Sequence, residues 1–384
     1  MQRLLALASG KGGVGKSVLA ANLGLALSRL GKTVVLVDLD LGASNLHTCL
    51  GIRNRNPGLG AFVWKQEKSL SGLLVETGQE RLWLIPGDSL LPGTANLEWS
   101  AKRRILKELG KLPADYIILD LGAGSAYNVI DFYLAAGQGL LVINPEITSV
   151  LNAYSFLKTA AFRLLVSAFP NKSEQRAEVM AFAGAKTEGS GSSFLAFAED
   201  LARRWPGKAE LALAALRRLG PQVILNRAKA PEDAELGYRL RDISRKNLGL
   251  DVAFSGFLLE DGGVGRSVAA RMPLLSIDPG SPFSRGVMAL ATRLANSPAP
   301  EAATWGQDEE GLEALATEAF EESWPEPKLA GPSMAAAPGP SVAAAPSLPD
   351  PSPAEEDEEP IAVVTEEISL ADFPEALQAG PSRG

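Results

Sequence analysis

One short stretch near the start limits what this chain can become: Ser9-Gly10-Lys11-Gly12-Gly13-Val14-Gly15-Lys16-Ser17. It fits the pattern G-x-x-x-x-G-K-[ST] through Gly10, Gly15, Lys16 and Ser17. An apolar run at 4–8 precedes it and an amphipathic stretch at 16–30 follows, so the glycines join a buried strand to a helix. Glycines allow successive backbone N–H groups to turn inward as an anion nest, and the helix N-terminus adds positive potential. Gly10, Gly12, Gly13, Val14, Gly15 and Val18 would supply that cradle. Lys16 would reach the outer phosphates, and the Ser17 hydroxyl would complete a Mg²⁺ shell. A glycine turn with a chance lysine is the competing explanation, and the flanking pattern argues against it.

The same alternation continues down the chain. Short apolar runs at 4–8, 33–37, 82–85, 116–119, 140–143, 223–225 and 252–257 alternate with helical patterns at 16–30, 150–169 and 231–247. Continuous apolar strands between helices predict an α/β fold: a mainly parallel, twisted sheet with helices on both faces. A helix over 284–296 closes the body. Residues 171–220 break the rhythm and read as a helical insertion, with helices at 194–204 and 209–219 and a flexible turn at 189–193. A solvated helical hairpin and a partner-binding element are both open readings for it.

Composition divides the chain at about residue 296. From Ser297 onward there are 19 Asp+Glu, 2 Lys+Arg and 14 of the 26 prolines. The first 296 residues keep 26 acidic and 35 basic residues, so a cationic body carries an acidic tail. The tail, 297–384, reads as disordered and Pro/Ala-rich, with two islands: an acidic amphipathic helical pattern at 309–324 and spaced apolar residues at 361–377. One cysteine, Cys49, excludes an internal disulfide framework and a cysteine-ligated cluster. One histidine, His47, excludes a multi-histidine metal site. No uncharged apolar run approaches the roughly 18–20 residues of a membrane helix. The opening apolar stretch reads as a strand rather than a signal peptide. A cytoplasmic protein is expected.

Lys11, a second lysine inside the loop, makes K-G-G-V-G-K-S resemble the deviant Walker A sequence of the MinD/ParA family of ATPases. The likeness extends further. Val37-Asp38-Leu-Asp40-Leu-Gly42-Ala-Ser-Asn45-Leu46 resembles the family's switch I, and Tyr116-Ile-Ile-Leu-Asp120-Leu-Gly-Ala-Gly124 its Walker B strand and switch II. Asn144-Pro145-Glu146-Ile-Thr-Ser149 resembles the element that follows. Val223-Ile-Leu-Asn226-Arg227 and Gly256-Phe-Leu-Leu-Glu260-Asp261 resemble the strand ends that enclose adenine.

The resemblance implies a P-loop NTPase domain over 1–296, with ATP and Mg²⁺ as cofactors. It makes Lys11, Lys16 and Asp40 the catalytic residues. Lys11 would cross an ATP-dependent homodimer to the partner's phosphates, and Asp40 would position the attacking water. Ser17, Asp38 and Asp120 would attend the metal; Asn226, Arg227, Glu260 and Asp261 would border the base. Asn45, Glu146 and Ser149 would contact Lys11 or the dimer seam. The MinD and FlhG/FleN branches are the most similar. They imply slow, partner-stimulated ATP hydrolysis that resets a switch in the placement of a division site, flagellum or polar organelle, with an activating protein as partner. A peripheral position at the inner membrane face is compatible with this.

Two other functions stay open: a ParA-like nucleoid-binding partition ATPase, and a non-hydrolysing ATP-bound adaptor that recruits partners through its tail. The clusters Lys102-Arg103-Arg104, Arg203-Arg204, Arg217-Arg218 and Arg239-Arg241-Arg245-Lys246 offer DNA or acidic lipid a contact if they are solvated together. Gly262-Gly-Val-Gly-Arg266-Ser267 imitates the loop but lacks its lysine, and reads as a turn and short helix. His47 beside Cys49 lacks a third orienting group for nucleophilic chemistry and reads as packing near switch I.

Overall fold

The computed structural model describes residues 2–297, apart from 43, 54–56, 88–96, 98, 137, 171 and 186–192. The expectations for the tail and for the turn at 189–192 lie outside the described residues. In chain order the elements are β1 (Arg3–Ser9), α1 (Lys16–Arg29), β2 (Val34–Leu39), α2 (Leu46–Cys49), α3 (Leu59–Val63), β3 (Val75–Glu76), β4 (Leu82–Ile85) and α4 (Trp99–Leu109). There follow β5 (Tyr116–Ala123), α5 (Tyr127–Ala135), β6 (Gln138–Ile143), α6 (Ile147–Ser167), α7 (Glu174–Ala185), α8 (Phe194–Arg204) and α9 (Lys208–Arg218). The last are β7 (Gln222–Ala228), α10 (Ala234–Leu248), β8 (Ala253–Leu259), α11 (Gly262–Ala269), α12 (Leu274–Ile277) and α13 (Pro282–Asn296).

Every apolar run became a strand, in the order β3-β4-β2-β5-β1-β6-β7-β8. All pairings are parallel except β3 with β4, a two-residue edge strand that carries no sequence signal. Successive side chains point to opposite faces. Leu5, Leu7, Val34 and Leu36 pack under α1, α2, α12 and α13. Ala6, Ala8, Val35 and Val37 pack under the helices from α3 to α10. Both faces are covered, which is why the strands read as unbroken apolar runs.

The helices of 171–220 join the second layer. Phe162 of α6 meets the Phe194 ring edge-on at 4.8 Å, and Phe182 of α7 stacks on Phe197 of α8 at 3.9 Å. Val179, Phe194, Ala198 and Leu201 are buried there. Burying a side chain such as Phe194 contributes about 2–3 kcal/mol, enough to hold these helices to α6.

Helices α4, α5 and α6 are pinned by one carboxylate. Asp131 accepts from Lys102 Nζ at 2.7 Å and from Arg163 Nε and Nη2 at 2.7 and 3.0 Å. The Arg163 guanidinium also lies 5.0 Å from the Tyr127 ring centre. Lys102 was read as part of a cationic surface cluster; it is instead buried in this triangle. Arg241 is buried too, Arg245 pairs with Asp251, and Arg204 with Glu178 and Asp200. Those basic clusters are therefore partly consumed by the fold, because a buried cation must find a partner.

Candidate nucleotide-phosphate site

β1 has β5 on one side and β6 on the other, so the connections leaving its carboxyl end diverge and open a crevice there. The loop after β1 lies in that crevice. Gly13 and Gly15 adopt φ of 80° and 89°, a region in which a β-carbon is strained. Gly10 has a different reason to be glycine. A β-carbon on it would lie 2.3 Å from the carbonyl carbon and oxygen of Asn152 in α6. Asn226, at the end of β7, donates from Nδ2 to Val14 O at 2.7 Å and ties the loop to the far side of the crevice.

The two lysines of the loop have separate surroundings. Lys16 is buried and its Nζ lies 2.6 Å from Asp120 Oδ1. Lys11 lies at the rim, paired with Glu146 and 3.0 Å from Thr148 Oγ1. The Lys11 hydrogen bond holds the Glu146 carboxyl below the usual carboxylate range. Ser149, expected near Lys11, is buried and accepts from the Asn144 backbone N–H instead, closing the first turn of α6. Asn45 is exposed at the start of α2.

Parallel pairing sets Asp38 opposite Asp120 on adjacent strands. Asp38 is fully buried; it accepts from Ser44 Oγ at 2.7 Å, Leu46 N at 3.1 Å and Asp40 N at 3.1 Å. Burial, and then the neighbouring Asp120 carboxylate, push Asp38 up to about 7 despite those hydrogen bonds. Asp120 Oδ2, Ser9 Oγ and Asn144 Oδ1 are buried without a hydrogen-bond partner. Orphaned oxygens of this kind are suited to a cation, water or phosphate-bound proton. Among the described residues no group of three or more His, Cys, Asp or Glu side chains could hold a metal alone. With Asp38 opposite Asp120 and Asp120 Oδ2 unpartnered, the chemistry of the expected set Ser17, Asp38 and Asp120 suits Mg²⁺, which takes one or two carboxylates and completes its shell from phosphate and water.

On the other side of the loop a cavity of about 300 Å³ is lined by Gly13, Gly15, Val18, Asn226, Arg227, Leu259, Glu260, Asp261, Val264, Gly265 and Phe283. All four residues expected near a base line it. Arg227, at φ 61°, pairs with Glu260 at 2.9 Å, and Lys229 approaches Glu260 at 3.4 Å. Asp261 caps α11 and also accepts from Phe283 N at 3.3 Å.

Sequence reasoning missed Ser44, Thr148, Val264 and Phe283. Ser44 lay at an unspecified position of the switch I pattern; Phe283 comes from a distant helix with no local signal. The Cys49 thiol is pushed up to about 11 by burial and by Asp120 and Asp38, which makes it a poor nucleophile. His47 is held below its ordinary value by burial and Arg271. Both agree with a packing role. No helix among the described residues is long and apolar enough to cross a membrane.

The family described as "CobQ/CobB/MinD/ParA nucleotide binding domain" matches residues 5–274. The septum site-determining protein MinD of Synechocystis is 36% identical over 157 residues, 40% of this chain and 57% of that protein. The flagellum site-determining protein YlxH of Helicobacter pylori is 34% identical over 160 residues, 41% of this chain and 53% of that protein. The chain thus matches a little over half the length of these relatives. The structure of MinD with Mg-ADP from Pyrococcus horikoshii superposes with a TM-score of 0.51 at 22% identity, covering 79% of this chain and all of that one. That likeness establishes the fold.

Proposed function

The chain belongs to the CobQ/CobB/MinD/ParA family of nucleotide-binding domains, and on that footing we propose that it is an ATP-hydrolysing dimerisation switch. The supporting observation is the division of labour between the two loop lysines. Lys16 is inside the crevice on Asp120, while Lys11 is at the rim on Glu146 and Thr148, where a second body can reach it.

ATP enters with its phosphates on the N–H groups of residues 10–17 and its base in the cavity beside Asn226, Arg227, Glu260 and Asp261. Lys16 exchanges the Asp120 carboxylate for the outer phosphates. Ser17, Asp38 and Asp120 would hold Mg²⁺, which when bound would offset phosphate charge. Asp40, whose backbone N–H is fixed by Asp38, aligns the water that displaces ADP from the terminal phosphorus. The water proton ends on the released phosphate, so alignment matters more than basicity. Lys11 leaves Glu146 for the partner's phosphates, so closure is favoured only with ATP present.

The names of the two relatives motivate the output: placement of a division site or flagellum, with hydrolysis promoted by an activating protein. The DNA-binding reading loses ground because Lys102 and Arg241 are buried.

Size-exclusion light scattering with ATP and Mg²⁺ tests this reading. A dimer should accumulate in Asp40→Ala and be lost in Lys16→Ala and Lys11→Ala. A monomer throughout, with ATP binding confirmed, would reject the switch and leave an ATP-bound adaptor.

A further inference from the structure

A tryptophan stands exposed on the layer opposite α1. Trp64, just after α3, is 57% exposed. Its turn is stiff. Arg104 of α4 donates through Nη2 to the carbonyls of Phe62 and Val63, and its guanidinium lies 4.6 Å from the Phe62 ring centre. Lys65 follows at φ 60°, a left-handed conformation that costs a non-glycine residue about 1 kcal/mol. A large aromatic held this way is a preorganised anchor, with little ordering entropy left to lose on binding.

Four exposed cations lie on this turn and on α4, the helix whose Arg104 grips it. Lys65 and Lys68 are exposed on the turn, and Arg103 and Lys107 are exposed one helical turn apart on α4. None of the four has an ion-pair partner among the described residues. The nearby acids are spent: Glu108 pairs with Lys111, and half-buried Glu67 turns toward Gly72.

We propose that residues 309–324 of this same chain dock on this surface, with their apolar stripe on Trp64 and their glutamates against Lys65, Lys68, Arg103 and Lys107. The segment has six glutamates and no lysine or arginine. Leu312, Leu315, Ala316, Ala319, Phe320 and Trp324 recur at the spacing of one helix face. The exit of the chain favours the same site. Arg3 Nη1 donates to the Ser297 carbonyl at 3.1 Å, and the adjacent Gln2 donates to Leu112 O at 2.7 Å, just past α4. Ser297 therefore lies at the start of β1, the same end at which the cation-bearing helix finishes, but on the other face of the sheet. Residues 298–308 can span up to about 36 Å, which exceeds the roughly 16 Å length of α4 by about 20 Å for passing round the end of the sheet to its other face. The docked segment covers the face in cis and yields it when salt or a more strongly anionic partner competes.

The test places a p-benzoylphenylalanine at position 64 of the full-length, nucleotide-free chain, so its outcome is independent of the ATP-switch reading. Irradiation at low salt should give an adduct within one molecule, mapping to 309–324. Arg103→Glu with Lys107→Glu should lower its yield about tenfold, at unchanged melting temperature. Adding Glu310→Lys and Glu313→Lys should restore it. An adduct only between two molecules, an adduct elsewhere, or a yield indifferent to the charge changes overturns the proposal. So does capture of position 64 by phosphatidylglycerol vesicles or by DNA in a chain that gives no adduct to 309–324.

Discussion

The string G-G-V-G-K-S at 12–17 and the string G-G-V-G-R-S at 262–267 differ by one residue, yet they fold differently. In the first, Gly13 and Gly15 take positive φ and the helix waits until Lys16. In the second, the helix begins at Gly262, and its glycines keep negative or extended φ. The flanks decide. Before the first string, β1 delivers the chain into a crevice where Gly10 is pressed on the Asn152 carbonyl and Asn226 grips Val14. Before the second, the Asp261 carboxylate accepts from Gly263 N at 2.7 Å and nucleates a helix. Gly13 and Gly15 of one string and Val264 and Gly265 of the other line the same cavity.

The contrast is sharpest at the cation. Lys16→Ala should cost about 3–5 kcal/mol of folding stability, because it leaves Asp120 buried beside Asp38 without its counter-charge. Arg266→Ala, on an exposed side chain, should stay within about 0.5 kcal/mol. Urea unfolding of both variants measures the difference, and equal losses would break the comparison. Next come the glycines. Gly10→Ala meets backbone and should cost about 1–3 kcal/mol along with nucleotide binding, whereas Gly265→Ala meets nothing within 4 Å and should gain about 0.5–1 kcal/mol.

A smaller effect follows from pH. Asp38 is raised to about 7 in the folded protein from an ordinary value of 3.8. The native state therefore takes up a proton that the unfolded chain releases. Stability of the metal-free protein should fall as pH rises from about 4 to about 7, by at most about 1.4 kcal/mol per pH unit, and level off above. Thermal melts in EDTA should lose that slope in Asp38→Asn; a slope that survives would place the proton elsewhere. The smallest effect belongs to the rim: Glu146→Gln breaks an exposed pair and should change stability by less than about 0.5 kcal/mol in chemical denaturation.

The strands and the loop were legible because each signal is local. A strand buried on both faces must be apolar along its length, and a phosphate nest needs glycine at fixed positions. Asp38 and Asp120 were legible as strand-end carboxylates, but the raised proton affinity of Asp38 depends on its burial and on β2 and β5 being neighbours in register, which no local pattern encodes. Lys102, Arg104 and Arg241 misled for the same reason. A basic string reads as solvated until the partner arrives from another element, as Asp131 does for Lys102. The two-residue β3 and the short helices α2, α3 and α12 are too brief for a period to register.

The Asp131 triangle has a mechanical consequence. Helix α5 is launched by the segment after Asp120, α6 begins just beyond Glu146, and α4 carries Arg103 and Lys107. One carboxylate rivets all three. Moving α5 alone would strand a buried lysine, so the three helices travel as one plate. A displacement that starts at the carboxyl ends of β5 and β6 is thus geared to the outer face of α4, without any single residue spanning the distance.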